Sequence, residues 1–180
     1  YFFLYDLKAQ SHKEFEKKII RLSSLFGLLA KQNSKEEKIL KIQVQKDNNK
    51  KYSLKNKLRY HQTNTGGSIH TDGPQLYSSP KILLMGCFKQ SNNGGESLIV
   101  NGKNIFKKLD DNEKKILTKN FFFERRGFEK KILSKPIFQY NKKIFIFRYL
   151  REYLLKAYEL KKVLLKNNDK KVLKKLDILL

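Results

Sequence analysis

The chain has 180 residues, 39% of them hydrophobic, which suits one domain with a real core and is too apolar for a disordered chain. No apolar stretch approaches the roughly 18 residues of a membrane span, and residues 1–5 lack the basic start and small-residue cleavage site of a secretory signal. The net charge is +23, yet only six of the 40 basic residues are Arg and the Lys spread from Lys8 to Lys175.

Readers of phosphate and base edges draw on the planar Arg fork. The charge is therefore read as a solvated lysine surface, with no nucleic-acid partner and no membrane partner expected. The single Cys87 cannot form an internal disulfide. It fits a reducing, cytoplasmic compartment, and its place in an apolar run predicts packing rather than chemistry.

The first predicted element begins at Ser11. Ser11 and Glu14 have capping-box spacing, Phe15, Ile19, Leu22 and Phe26 follow at helical spacing, and Gly27 can close the helix in the left-handed region. His12 falls on the polar side of that start. Leu40, Ile42 and Val44 alternate with Lys41, Gln43 and Gln45, the pattern of a half-buried strand. A polar loop follows over 46–57. Residues 82–88 read as a buried strand, 92–95 as a turn and 97–100 as a short strand. Residues 103–109 and 111–119 are predicted helical, and 121–123 and 144–149 are predicted strands. Leu150, Tyr153, Leu154, Ala157, Leu160 and Leu164 mark a helix. Asp169 is expected to cap a last helix carrying Val172, Leu173, Leu176 and Leu180. The expected fold is mainly β with flanking helices, in one domain over 1–180.

Chemistry concentrates in Gly66-Gly67-Ser68-Ile69-His70-Thr71-Asp72-Gly73-Pro74. His70 and Asp72 are two apart, so on an extended backbone both side chains point to one side and Thr71 to the other. One imidazole nitrogen and one carboxylate oxygen then converge, which is two-thirds of a 2-His-1-carboxylate facial triad. Alone, the pair is a short motif that also fits a hydrogen-bonded or solvated loop pair.

Its surroundings carry more. The run from His70 to Pro74, then Pro80, then Ile82-Leu83-Leu84-Met85-Gly86-Cys87, then Gly94-Gly95-Glu96-Ser97 resembles the taurine-dioxygenase superfamily, closest to its clavaminate-synthase-like and amino-acid hydroxylase branches. Fainter likeness extends over nearly the whole chain: residues 25–27 with 40–44, Tyr60 to Asn64, Pro136-Ile137-Phe138, and Ile146-Phe147-Arg148-Tyr149. The resemblance implies a double-stranded β-helix (jelly-roll) core. It also implies an Fe(II)- and 2-oxoglutarate-dependent dioxygenase that uses O2 to oxidise a small molecule, an amino acid or related metabolite, with succinate and CO2 as coproducts. By the same resemblance His70 and Asp72 are the iron ligands and Ser97 a 2-oxoglutarate contact. Glu96 and Asn64 are substrate candidates, although a turn glutamate such as Glu96 is also read as simply solvated. Asp72 speaks against a halogenase, whose carboxylate ligand is lost.

Three departures accompany this. No His follows His70, and the family's distal His, with an Arg shortly after it that pairs 2-oxoglutarate, has no counterpart. His61, nine residues before His70, is read as a loop residue or a group behind a ligand. Arg148, in an apolar strand, is expected to pair with an acid or line the cavity. Tyr1 is not an initiator Met, and Ile178-Leu179-Leu180 falls inside a helical pattern. The expectation is a fragment whose jelly roll is incomplete at the C-terminal end, inactive without the distal His and Arg. Two rivals stand beside this reading: a basic nucleic-acid-binding module, and a degenerate, non-catalytic family member.

Overall fold

The computed structural model describes residues 6–31, 36–43, 66–125 and 128–180. The chain divides into two compact units, Tyr1–Ile39 with Pro80–Glu96, and Leu40–Ser79 with Ser97–Leu180.

In the first unit, α1 spans His12–Ser24. Ser11 caps it as the spacing predicts, its hydroxyl accepting from the Glu14 N–H at 3.2 Å. The return bond shifts one residue back, the Glu14 carboxylate accepting from the Gln10 N–H at 2.8 Å. Gly27 takes the positive φ expected of it, +131°. Phe15 and Ile19 face the 80–96 segment. A Cβ on Gly86 would come within 2.5 Å of the Ile19 side chain and 2.9 Å of the Phe15 ring, so any larger residue would make those side chains shift. The Phe88 ring lies 5.4 Å from that of Phe15 and 4.0 Å from that of His12, an exposed residue as expected.

Residues 82–88 correct the sequence reading. They form no strand, and Ile82, Leu83, Met85 and Cys87 are exposed. Contact with α1 uses Gly86 and Phe88, and Leu84 is also partly buried. The Gly-Gly turn is present, with Gly94 and Gly95 at φ +75° and +88°.

The second unit holds the described core. Helices α2 (Gly102–Lys107) and α3 (Asp111–Leu117) lie where helical spacing puts them. Asp110 and Glu113 close a complete capping box on α3, and Glu113 also holds Lys175 at 2.7 Å. Strands β1 (Asn120–Glu124) and β2 (Ile132–Pro136) form an antiparallel pair with Phe122 opposite Ser134. Strands β3 (Phe138–Tyr140) and β4 (Phe145–Phe147) form a second pair with Phe138 opposite Phe147. Helix α4 spans Arg151–Lys161 and α5 spans Asn167–Leu179. Leu117, Phe123, Ile137, Phe138, Leu154 and Leu173 are fully buried and make one cluster. Period-2 alternation buries Phe121 and Phe123. It turns Phe122 to the other face of β1, where the Tyr158 ring covers it at 5.3 Å.

The mainly-β expectation is corrected here as well. The described residues are mixed, with five helices and two two-stranded sheets. Residues 40–43 and 97–100 form no strand, and Ile42, Leu98 and Ile99 are exposed. Apolar alternation favours a strand only where a partner supplies the ladder. Val44 lies outside the described residues. At α5 the cap is Lys166, without a side-chain bond, and Asp169 stands in the first turn instead of capping it. There its charge still suits the helix's positive end. No described helix is long and apolar enough to cross a membrane.

Gly102 opens α2, and a Cβ there would stand 2.9 Å from the Phe147 ring. That ring is stacked at 4.4 Å on Phe138 and cannot swing aside freely. Gly102→Ala should therefore destabilise by about 1–3 kcal/mol, although Ala is the better helix former by about 1 kcal/mol. Urea unfolding checks this; a more stable variant would show that propensity wins.

Candidate metal centre

Thr71 fixes the His-x-Asp segment in place. Its N–H donates to the Tyr149 carbonyl at 2.8 Å, and its hydroxyl accepts from the Tyr149 N–H at 2.9 Å. Tyr149, 1% exposed, follows β4, so the motif is laid alongside the end of the β3–β4 pair. With Thr71 turned to Tyr149, alternation puts His70 and Asp72 on the other side together. Their closest atoms, His70 Nε2 and Asp72 Oδ1, are 3.6 Å apart.

Beyond the motif, Gly73 at φ +64° starts a turn closed by the Leu76 N–H on the Gly73 carbonyl at 3.0 Å. Pro74 in that turn is buried. Buried Arg125 then donates from Nε to the Gln75 carbonyl at 3.1 Å, its guanidinium 4.1 Å from the Tyr77 ring and 4.6 Å from that of Phe128. Ahead of the motif, the Ser68 hydroxyl donates to Glu152 Oε1 on α4 at 3.0 Å.

The far nitrogen of His70, Nδ1, lies 2.6 Å from the Ser68 carbonyl. A carbonyl only accepts, so this nitrogen carries the hydrogen and Nε2 is the one directed at Asp72. The neighbouring Asp72 carboxylate raises the His70 pKa, burial opposes it, and the Ser68 carbonyl and the Glu152 charge add to the rise.

Two ligand atoms bound cis at roughly 2.1 Å from one metal stand about 3 Å apart. The His70–Asp72 pair at 3.6 Å fits two positions of a facial triad after a small closing movement. No group of three candidate ligands occurs among the described residues.

The remaining predicted residues fall as follows. Ser97 and Glu96 are exposed. Asn64 and His61 lie outside the described residues. Arg148 is 3% exposed and, instead of an acid, meets an amide: Nη1 donates to Gln139 Oε1 at 3.4 Å, and burial lowers its pKa. Sequence reasoning missed Glu152, Arg125 and the role of the Tyr149 backbone. Only the position of Ser68, two before His70, could have drawn notice.

Thr71→Val keeps the shape and removes the hydroxyl, leaving the buried Tyr149 N–H without its acceptor. The expected cost is about 1–3 kcal/mol, read by denaturant unfolding, with faster amide exchange at Tyr149. A variant as stable as the parent would show that the hydroxyl is not the anchor.

The family described as "Taurine catabolism dioxygenase TauD, TfdA family" matches residues 6–174. Gamma-butyrobetaine dioxygenases from Homo sapiens and Pongo abelii are each 47% identical over 45 residues, 25% of this chain. That match spans only 12% of either relative's length. No solved structure matches. The extent of the family match, nearly the full chain and including the His70–Asp72 segment, decides the assignment: the chain belongs to the taurine catabolism dioxygenase TauD/TfdA family.

Proposed function

We propose that this chain belongs to an Fe(II)- and 2-oxoglutarate-dependent dioxygenase acting on a small molecule in the cytoplasm. The observation that carries the reading is the convergence of His70 Nε2 and Asp72 Oδ1 on one side of a segment pinned through Thr71, in a chain of this family. Family membership implies a jelly-roll core, of which the described residues show two small sheets. It also implies a third ligand, a His, and a 2-oxoglutarate-pairing Arg, neither of which has a counterpart after His70 in these 180 residues.

When bound, the iron would couple O2 reduction to decarboxylation of 2-oxoglutarate and oxidation of a substrate C–H bond. The chain's own residues hold and orient. His70 keeps its Nδ1 hydrogen on the Ser68 carbonyl and presents Nε2. Asp72 favours a proton on that ring, so metal binding would displace it into solvent. Ser97 would contact 2-oxoglutarate, and Glu96 and Asn64 the substrate, as the family resemblance implies. Two similar proteins are gamma-butyrobetaine dioxygenases, which supports starting the substrate tests with gamma-butyrobetaine and related small molecules.

The test is succinate formation from 2-oxoglutarate by the chain extended through the distal His and Arg, with and without Fe(II). Iron-dependent succinate, stimulated by substrate, is the expected result. The chain ending at Leu180 should give none. Turnover by the chain ending at Leu180, or an extension with no His, would overturn the proposal.

A further inference from the structure

We propose that Glu152 and Ser68 are positioning residues for His70, a relay from helix α4 that fixes which imidazole nitrogen is offered to a metal. The inference rests on the metal-ligand reading of His70 but is carried by separate contacts. The Ser68 carbonyl is the acceptor for His70 Nδ1 at 2.6 Å. Where that carbonyl sits depends on how the Ser68 backbone is held.

Thr71 anchors the segment beyond His70, but the residues before Ser68 offer little hold. Gly66 and Gly67 precede Ser68 in exposed, irregular backbone, and a Cβ on Gly66 would touch nothing. Glycine leaves such a segment its widest conformational freedom. The tether is the Ser68 hydroxyl, which donates to Glu152 Oε1 at 3.0 Å across 84 residues. Glu152 lies in the first turn of α4, where a negative charge suits the helix end. The next residues of the helix, Tyr153, Leu154 and Ala157, are buried, so the carboxylate is mounted on a packed element. Histidines that ligate metals generally give their other N–H to such an acceptor, and loss of it weakens metal binding.

The relay makes a prediction independent of iron. In water a neutral imidazole favours hydrogen on Nε2, whereas the Ser68 carbonyl demands it on Nδ1. Long-range nitrogen–proton spectra of the metal-free chain, at a pH where the ring is neutral and with His12 and His61 replaced by Gln, read this directly. The unmodified relay should show the Nδ1–H form. Ser68→Ala and Glu152→Ala should move the population toward Nε2–H, and the double variant should go no further than either single change, because both cut one chain of contacts. Glu152→Gln retains an acceptor oxygen and should keep the Nδ1–H form. The two Ala variants should also weaken Co(II) binding, a spectroscopic stand-in for iron, by about 10–100-fold in the chain extended through the distal His and Arg.

An unchanged tautomer in Ser68→Ala, or a shifted tautomer with unchanged Co(II) affinity, would overturn the relay. If Glu152→Ala only lowers the melting temperature and leaves the imidazole signals in place, its role is structural and the relay is likewise overturned. Failure of the metal reading looks different: His70→Ala would bind Co(II) as tightly as the parent while the tautomer effects of Ser68→Ala and Glu152→Ala persist.

Discussion

His70→Ala and Asp72→Ala should each abolish iron-dependent succinate formation in the extended chain and weaken Fe(II) binding by at least about 100-fold. The expectation follows from how few ligands the chain offers. With two positions supplied by His70 and Asp72 and one by a distal His, removing either leaves a two-ligand site that holds a divalent metal poorly. The stability cost should be small. Asp72 has a half-exposed side chain, so its removal should change unfolding by no more than about 0.5 kcal/mol. His70→Ala also loses the bond to the Ser68 carbonyl, worth about 1 kcal/mol. Asp72→Glu keeps a carboxylate on a longer arm and should retain part of the affinity. Isothermal titration with Fe(II) under anaerobic conditions, paired with denaturant unfolding, separates ligand loss from fold loss. Undiminished turnover in either Ala variant would remove His70 and Asp72 from the metal site.

Local signals read well in this sequence and long-range ones did not. Helix α1 announced itself through its cap residue and 3.6-residue spacing, and α4 through apolar spacing, signals that act within a few residues. The capping pair Ser11 and Glu14 shows the limit of that precision, since the glutamate reaches Gln10 and not Ser11. Strand β1 was legible from Phe121 to Phe123, but its partner β2 was not. Ser134 and Lys135 carry no strand signature, and they pair only because Phe121 and Phe122 lie opposite. The reverse error occurred at residues 82–88. Their apolar run has the length of a buried strand, yet a run that short has no period of its own, and here only Leu84 and Phe88 are even partly buried.

At the candidate site, spacing alone put His70 and Asp72 on one side. What holds that side in place is the Thr71–Tyr149 exchange and the Ser68–Glu152 bond, each joining positions more than 70 residues apart. No pattern in residues 66–74 encodes those partners. Arg148 failed for a related reason. A charged residue in an apolar strand demands some polar partner, but the sequence does not say that Gln139, one strand away, supplies it.

Phe138→Ala should cost about 3–5 kcal/mol, the largest stability loss of any single change considered. Phe138 is fully buried, and its ring stacks on Phe147 at 4.4 Å with an interplanar angle of 10°. The Phe106 and Phe145 rings close around it at 5.0 and 5.8 Å. Truncation removes the buried ring and leaves a cavity that α2 and β4 must move to fill. The Phe147–Tyr149 stack at 6.1 Å continues that column toward the residue whose backbone anchors Thr71. A domain of ordinary stability, about 5–15 kcal/mol, loses a large share of its margin to such a change. The variant should therefore also show weaker metal binding, but by a different route from His70→Ala. Its Fe(II) affinity should recover when a stabilising osmolyte restores the folded fraction, because both ligands are still present. Affinity that stays low in fully refolded Phe138→Ala would mean that the aromatic column shapes the ligand geometry itself. Near-parental stability would mean that the β3–β4 pair is not part of the core that supports the site.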